Sequence, residues 1–110
     1  LQQVILNLIK NAEDVLLDKK IKDPYIKIAT YKENDHLVLT VSDNGGGIPE
    51  DIIDKIFNPY FSTKMKKDGT GLGLYMSKTI IEEHCSGKLY VSNNDDGALF
   101  TIQLSTKEQS

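Results

Sequence analysis

The sequence predicts an α+β domain, a two-layer α/β sandwich with helices on one face of a mixed, mainly antiparallel sheet. Apolar residues recur at helical spacing through the N-terminal segment and again after position 72, and they alternate through four short segments that come in two adjacent pairs. The order is helix, two strands, short helix, polar loop, helix, two strands. That order suits helices packed against one side of a sheet.

Each element has its own warrant. Leu1, Val4, Ile5, Leu8, Ala12, Val15 and Leu16 follow the helical period and predict a helix over about residues 2–18. "KDP" breaks that pattern. "YIKIATYKE" alternates and reads as a strand over about 25–33. "ENDH" turns the chain into a second strand, "HLVLTVSD". "NGGGIP" is a turn, and "PEDIIDKIF" reads as a short helix with Pro49 in its first turn. "NPYFSTKMKKDGTG" is polar, lacks periodicity and ends in glycine. Leu72, Tyr75, Met76, Thr79, Ile80 and Glu83 then return to helical spacing, and Gly87 is placed to end that helix. "KLYVSN" and "ALFTIQL" are strands joined by "NDDG", a hairpin signal. "STKEQS" reads as a tail.

Composition narrows the classes. The 110 residues suit one domain with a core of its own. A net charge of −3 weighs against a nucleic-acid surface. The single cysteine, Cys85, cannot form an internal disulfide, which fits a reducing compartment. No apolar run is long enough to span a bilayer, and no signal peptide is seen. The chain opens on a helical pattern without a methionine, which leads us to expect a piece of a longer protein.

Three stretches carry candidate chemistry. On a helical wheel of about 100° per residue, Asn7 and Asn11 lie together at the edge of the apolar arc, with Lys10, Asp14 and Gln3 beyond. A solvated helix shoulder is the plain reading. The sharper one is a pair of amide oxygens aimed into a cleft, where neutral hard oxygens suit Mg²⁺ beside substrate phosphates. In the second strand, Leu37, Leu39 and Val41 share one face, and Asp43 continues that series. A carboxylate facing a core needs partners. A turn cap is the plain reading of Asp43, but three glycines follow it, more than a turn needs, and they allow a flat ligand close to the backbone. An adenine amino group is a suitable donor to such a carboxylate. "DGTGLGL" runs from a loop into a helix, so the amides of Gly71, Leu72 and Gly73 can face an anion. Alone it reads equally as a flexible helix cap.

Together and in this order, the motifs resemble the catalytic ATP-binding domain of sensor histidine kinases, within the GHKL group of ATPases. "NLIKNA" looks like the N box, "DNGGGIP" the G1 box, "IFNPYFSTK" the F box and "GTGLGL" the G2 box. The resemblance covers nearly the whole chain and implies a Bergerat-type ATP-binding fold over 1–105, lacking the family's first short strand, with a tail at 106–110. The short lid with "FSTK" is similar to the nitrogen-regulator-like branch.

The resemblance implies roles. Asn11 is expected to coordinate the Mg²⁺ that bridges the ATP phosphates, with Asn7 supporting metal or phosphate one turn earlier. Asp43 is expected to accept a hydrogen bond from the adenine amino group, with Gly45 and Gly47 leaving room for the base and Ile48 beside it. Gly69, Thr70, Gly71, Leu72 and Gly73 are expected to hold the phosphates. The ATP lid is expected over about 58–70, anchored by Phe57 and Phe61, with Lys64 reaching a phosphate and Lys66 and Lys67 solvated. Many family members carry a lysine and a tyrosine after the N box, where this chain has Asp14 and Val15; Lys10 is the candidate replacement for the charge.

The implied activity is ATP-dependent protein-histidine kinase, with ATP and Mg²⁺ as cofactors. The phosphoacceptor lies on a separate dimerisation domain of the same protein, and a response regulator receiver domain is the next partner. His36 and His84 lie outside any phosphoacceptor-like context. No nucleic acid or membrane contact is expected of this domain, and a cytoplasmic location is. Three alternatives stand beside the kinase: a GHKL ATPase, an anti-sigma-type serine kinase and a non-catalytic nucleotide-binding module. GHKL hydrolases place a glutamate where this chain has Asn7, a poor general base.

Overall fold

A computed structural model of the chain describes residues 2–58 and 73–105. Helix α1 spans Gln2–Asp18 and is followed by β1, Ile26–Glu33, and β2, His36–Asp43. Helix α2, Gly73–Thr79, runs on into a π-helical turn at Ile80–His84, and the chain closes with β3, Gly87–Asn93, and β4, Ala98–Ser105. The strands form one sheet in the order β1-β2-β4-β3, and all three ladders are antiparallel.

The core lies between the helices and one face of this sheet. Val4, Leu8, Ala12 and Leu16 are buried along α1 at strict four-residue spacing. Across the sheet, Val41 stands opposite Phe100, which stands opposite Val91; Leu39, Ile102 and Leu89 form the next row. Val4, Leu8 and Ile81 of the helical layer join Val41, Phe100, Ile102 and Leu89 in one cluster. Burying Leu8 contributes about 1.5–3 kcal/mol. Leu37 shares the face of Leu39 and Val41 but stays exposed, with Lys32 and Leu104 as its sheet neighbours.

Two local expectations change. The helix expected in "PEDIIDKIF" is a 3-10 turn at Ile53–Lys55, held by Ile52 N–H to the Pro49 carbonyl (3.1 Å) and Lys55 N–H to the Ile52 carbonyl (2.8 Å). So short a segment, with two adjacent β-branched isoleucines, gains little from a regular α-helix. It still buries Ile56 in the core. Gly87 does not end a helix; it begins β3. The helix closes through a π bond from Cys85 N–H to the Ile80 carbonyl (3.1 Å), and Ser86 takes the positive φ (55°). Gly87 is glycine for another reason: a Cβ there would lie 2.4 Å from the Gln103 carbonyl oxygen.

The expected tail, 106–110, and nearly all of the expected lid lie outside the described residues. No helix among the described residues is long and apolar enough to cross a membrane.

Candidate functional site

Strand β2 delivers Asp43 to the edge of the core, where it is only 4% exposed. Its Oδ1 accepts a hydrogen bond from Gly45 N–H at 2.8 Å, so the carboxylate is oriented by the loop that follows it. Beyond it the loop turns through Gly46 and Gly47, with φ of 91° and 88°. Only glycine enters that region without strain. Val15 of α1 closes the loop from one side: a Cβ on Gly45 would lie 2.8 Å from Val15 Cγ1.

The loop is tied from three directions. Lys19, just past α1, donates from Nζ to the Gly45 carbonyl at 2.8 Å. The turn between β3 and β4 lies against the loop, with Gly46 N–H donating to the Asp96 carbonyl at 3.1 Å. That turn is itself held by Asn94 Oδ1, which accepts from the N–H groups of Asp96 (2.9 Å) and Gly97 (2.8 Å). Gly97 sits so close to Asp43 that an added Cβ would fall 2.4 Å from the Asp43 carbonyl oxygen. Asn93 completes the set. Its Oδ1 accepts from Ile48 N–H, and its Nδ2 donates to the Ile48 carbonyl, both at 2.8 Å.

A fourth tie runs through the segment before β1. Asn44 Oδ1 accepts from Tyr25 N–H at 2.9 Å, and its Nδ2 donates to the Asp23 carbonyl at 3.1 Å. Tyr25 O–H donates to Asp96 Oδ2 at 2.8 Å. That hydrogen bond raises the Tyr25 phenol above its ordinary value of 10.0, with smaller contributions from burial and from the charges of Asp96 and Asp43.

Along α1 and one residue past it, positions 3, 7, 11, 15 and 19 form a stripe with four-residue spacing. Asn7 Nδ2 donates to Ser77 Oγ of α2 at 3.2 Å, and Gln3 Nε2 approaches Asn7 Oδ1 at 3.5 Å. Ser77 is fully buried, so this bond couples the two helices. Asn11 is half-buried between Asn7 and Val15 on the stripe. Lys10 is exposed, one residue off it. The stripe thus runs from two asparagines at one end to the glycine loop at the other.

The structure places Asn7 and Asn11 on α1, and Asp43, Gly45, Gly47 and Ile48 at the end of β2 and in the loop that follows, which meets α1 at Val15 and Leu16. Gly73 opens α2. Lys64, Gly69, Thr70, Gly71 and Leu72 lie outside the described residues, as does Phe61. Phe57 packs edge-on against Phe100 of β4 (centroids 6.3 Å apart, planes at 88°), with Lys78 Nζ 5.1 Å from its ring centre. A groove of about 510 Å³ opens beside it, lined by Phe57, Tyr75, Lys78, Glu82 and Tyr90 among others. It contains none of Asn7, Asn11 and Asp43, so it is separate from the stripe and the loop. Lys19, Ser77, Asn93 and Gly97 were not expected from the sequence. Lys19 had a signal, since it continues the four-residue spacing of Asn7, Asn11 and Val15; Asn93 had none, because only the fold brings the end of β3 to Ile48.

Comparison with known proteins gives a consistent family. The family of histidine kinase-, DNA gyrase B-, and HSP90-like ATPases (HATPase_c) matches residues 1–108. The two-component sensor PprA of Pseudomonas aeruginosa is 37% identical, over 94% of this chain and 12% of its own length. A putative NtrY-like sensor histidine kinase of Rickettsia conorii is 36% identical, over 98% of this chain and 17% of its own. The chain therefore spans a small part of these curated relatives. Among solved structures, the catalytic domain of histidine kinase ThkA superposes with a TM-score of 0.78 at 34% identity, covering 94% of this chain and 64% of that one.

Proposed function

The chain belongs to the HATPase_c family of histidine kinase-, DNA gyrase B-, and HSP90-like ATPases, and on that premise we propose that it binds Mg²⁺-ATP and donates the γ-phosphoryl group to a histidine on a separate dimerisation domain of the same protein. A receiver domain of a response regulator then takes the phosphoryl group, in the cytoplasm. The observation that carries this reading is Asp43. It is a nearly fully buried carboxylate, oriented by Gly45 N–H at the start of a loop that turns through Gly46 and Gly47 at positive φ. Gly45 N–H serves its Oδ1, and a buried carboxylate has room for a further donor. The adenine amino group is one, whereas guanine presents a carbonyl at the same ring position.

The α1 stripe supports the other half of the ligand. Base bound at Asp43 and the glycine loop directs the phosphates towards Asn11 and Asn7. Their amide oxygens are neutral and hard, a donor type that fits Mg²⁺ shared with phosphate oxygens. Bound there, the metal would neutralise phosphate charge, and phosphoryl transfer depends mainly on such neutralisation and on positioning. Asn11 would hold it, with Asn7 fixed in place by Ser77. Lys10 would add positive charge from the flank, and Ile48 an apolar contact to the base. Lys64, Gly69, Thr70, Gly71, Leu72 and Gly73 would enclose the phosphates. Asn7 lacks the basicity to activate water, which favours transfer over hydrolysis.

Titration calorimetry tests the site. Asn11→Ala should weaken Mg²⁺-ATP, and Asp43→Ala should weaken ATP more than GTP. Unchanged affinity in both variants would overturn the proposal.

A further inference from the structure

We propose that Asn93 is a positioning residue for the base subsite, acting through the main chain of Ile48. This rests on the reading of Asp43 and the glycine loop as that subsite. The side-chain amide of Asn93 makes two hydrogen bonds to one residue: Ile48 N–H to Oδ1, and Nδ2–H to the Ile48 carbonyl, each at 2.8 Å. That is the bonding an adjacent strand gives its neighbour, supplied here by a side chain at the end of β3. One bond would leave the Ile48 peptide planes free to swing; the pair fixes both.

The position of the clamp matters because of what precedes Ile48. Gly46 and Gly47 both hold positive φ, and glycines carry the largest backbone freedom of any residue. Left untied, this part of the loop samples many shapes. The Asn93 bonds fasten its far end, while Gly46 N–H to the Asp96 carbonyl and Lys19 to the Gly45 carbonyl fasten the near one. The fit is mutual, since a Cβ on Gly47 would lie 2.8 Å from Asn93 Oδ1. Nδ2 also lies 3.3 Å from Glu50 Oε2, which holds the amide in the orientation that presents its oxygen to Ile48 N–H.

Asn93 is exposed, so its bonds compete with water and add little to global stability. Their effect falls on the shape of the loop. Adenine selectivity depends on the base lying flat on the loop and reaching Asp43. A loosened loop loses that close approach but keeps the phosphate contacts, so ATP affinity falls towards that of GTP.

The test uses the intact protein and three variants: Asn93→Ala, Asn93→Leu, which keeps side-chain volume, and Asp43→Ala. Calorimetry with ATP and with GTP, and thermal melting, are run on each. Both Asn93 variants should lose roughly tenfold in ATP affinity, change less towards GTP, and melt close to the parent. Asn93→Leu binding ATP as the parent does, or either variant losing ATP and GTP equally, overturns the positioning role. If Asp43→Ala leaves the ATP-to-GTP ratio unchanged, the base-subsite reading itself fails. If Asp43→Ala lowers that ratio and Asn93→Ala does not, only Asn93 fails.

Discussion

The two ends of the α1 stripe are built differently. At the glycine-loop end, bonds from Lys19, Asn93, Asp96 and Asn44 converge on main-chain groups of the loop or of the segments packed on it. At the asparagine end, the contacts are between side chains: Asn7 with Ser77, and Asn7 with Gln3. A main chain held at several points has its shape set before a ligand arrives, whereas side-chain amides can re-aim. The contrast suits a rigid, flat base at one end and a flexible, charged chain of phosphates at the other. It also says where damage should be stiff and where it should be forgiving.

The largest effect should come from Gly97→Ala. Its Cβ would meet the Asp43 carbonyl oxygen at 2.4 Å and Gly45 N at 2.9 Å, both main-chain atoms, and Asp43 Oδ1 at 2.8 Å, a side-chain oxygen held by Gly45 N–H. We expect a loss of about 3 kcal/mol in urea denaturation, at the upper end for overpacking. A parent-like midpoint would show that the glycine-loop end yields, and the contrast would collapse. Ser77→Ala should cost less, about 1 kcal/mol, by removing a buried partner of Asn7. A double-mutant cycle with Asn7→Ala should show the two losses to be less than additive. Strict additivity would mean that the bond contributes nothing.

The smallest effect belongs to Tyr25→Phe. The folded phenol is raised above 10.0 because its neutral form donates to Asp96. Its contribution is therefore complete below that ordinary value and is lost as pH rises through the higher folded one. The difference in melting temperature between parent and variant should shrink as the solution becomes alkaline. A difference that grew instead would assign the bond the wrong sign.

Much of this was legible in the chain. The α1 period, the alternation of the four strands and the "NDDG" hairpin each follow from local pattern, and each element stands within a residue or two of its expected span. Asp43 was legible too, because an acidic residue that continues an apolar face is a visible contradiction. The misses share a cause. Gly87 looks like a helix stop in sequence, but its requirement comes from Gln103 across the sheet. The π turn at Ile80–His84 arises where the helix must join β3, and no local periodicity encodes it. Asn93 and Ser77 act on residues 45 and 70 positions away. A spacing rule within one element cannot see such pairs.

The turn bonds have one more outcome, in the slow chemistry of the covalent chain. Asn44 precedes Gly45, and Asp96 precedes Gly97. Such pairs age when the glycine nitrogen attacks the preceding side-chain carbonyl, closing a ring that deamidates asparagine or isomerises aspartate. Here both nitrogens are engaged: Gly45 N–H donates to Asp43 Oδ1 and Gly97 N–H to Asn94 Oδ1, each at 2.8 Å. The Asn44 amide and the Asp96 carboxylate are likewise held, by Asp23 and Tyr25. Ring closure has to break these bonds first, so the folded loop protects these two pairs against ageing, and their chemical lifetime is tied to how seldom that loop opens.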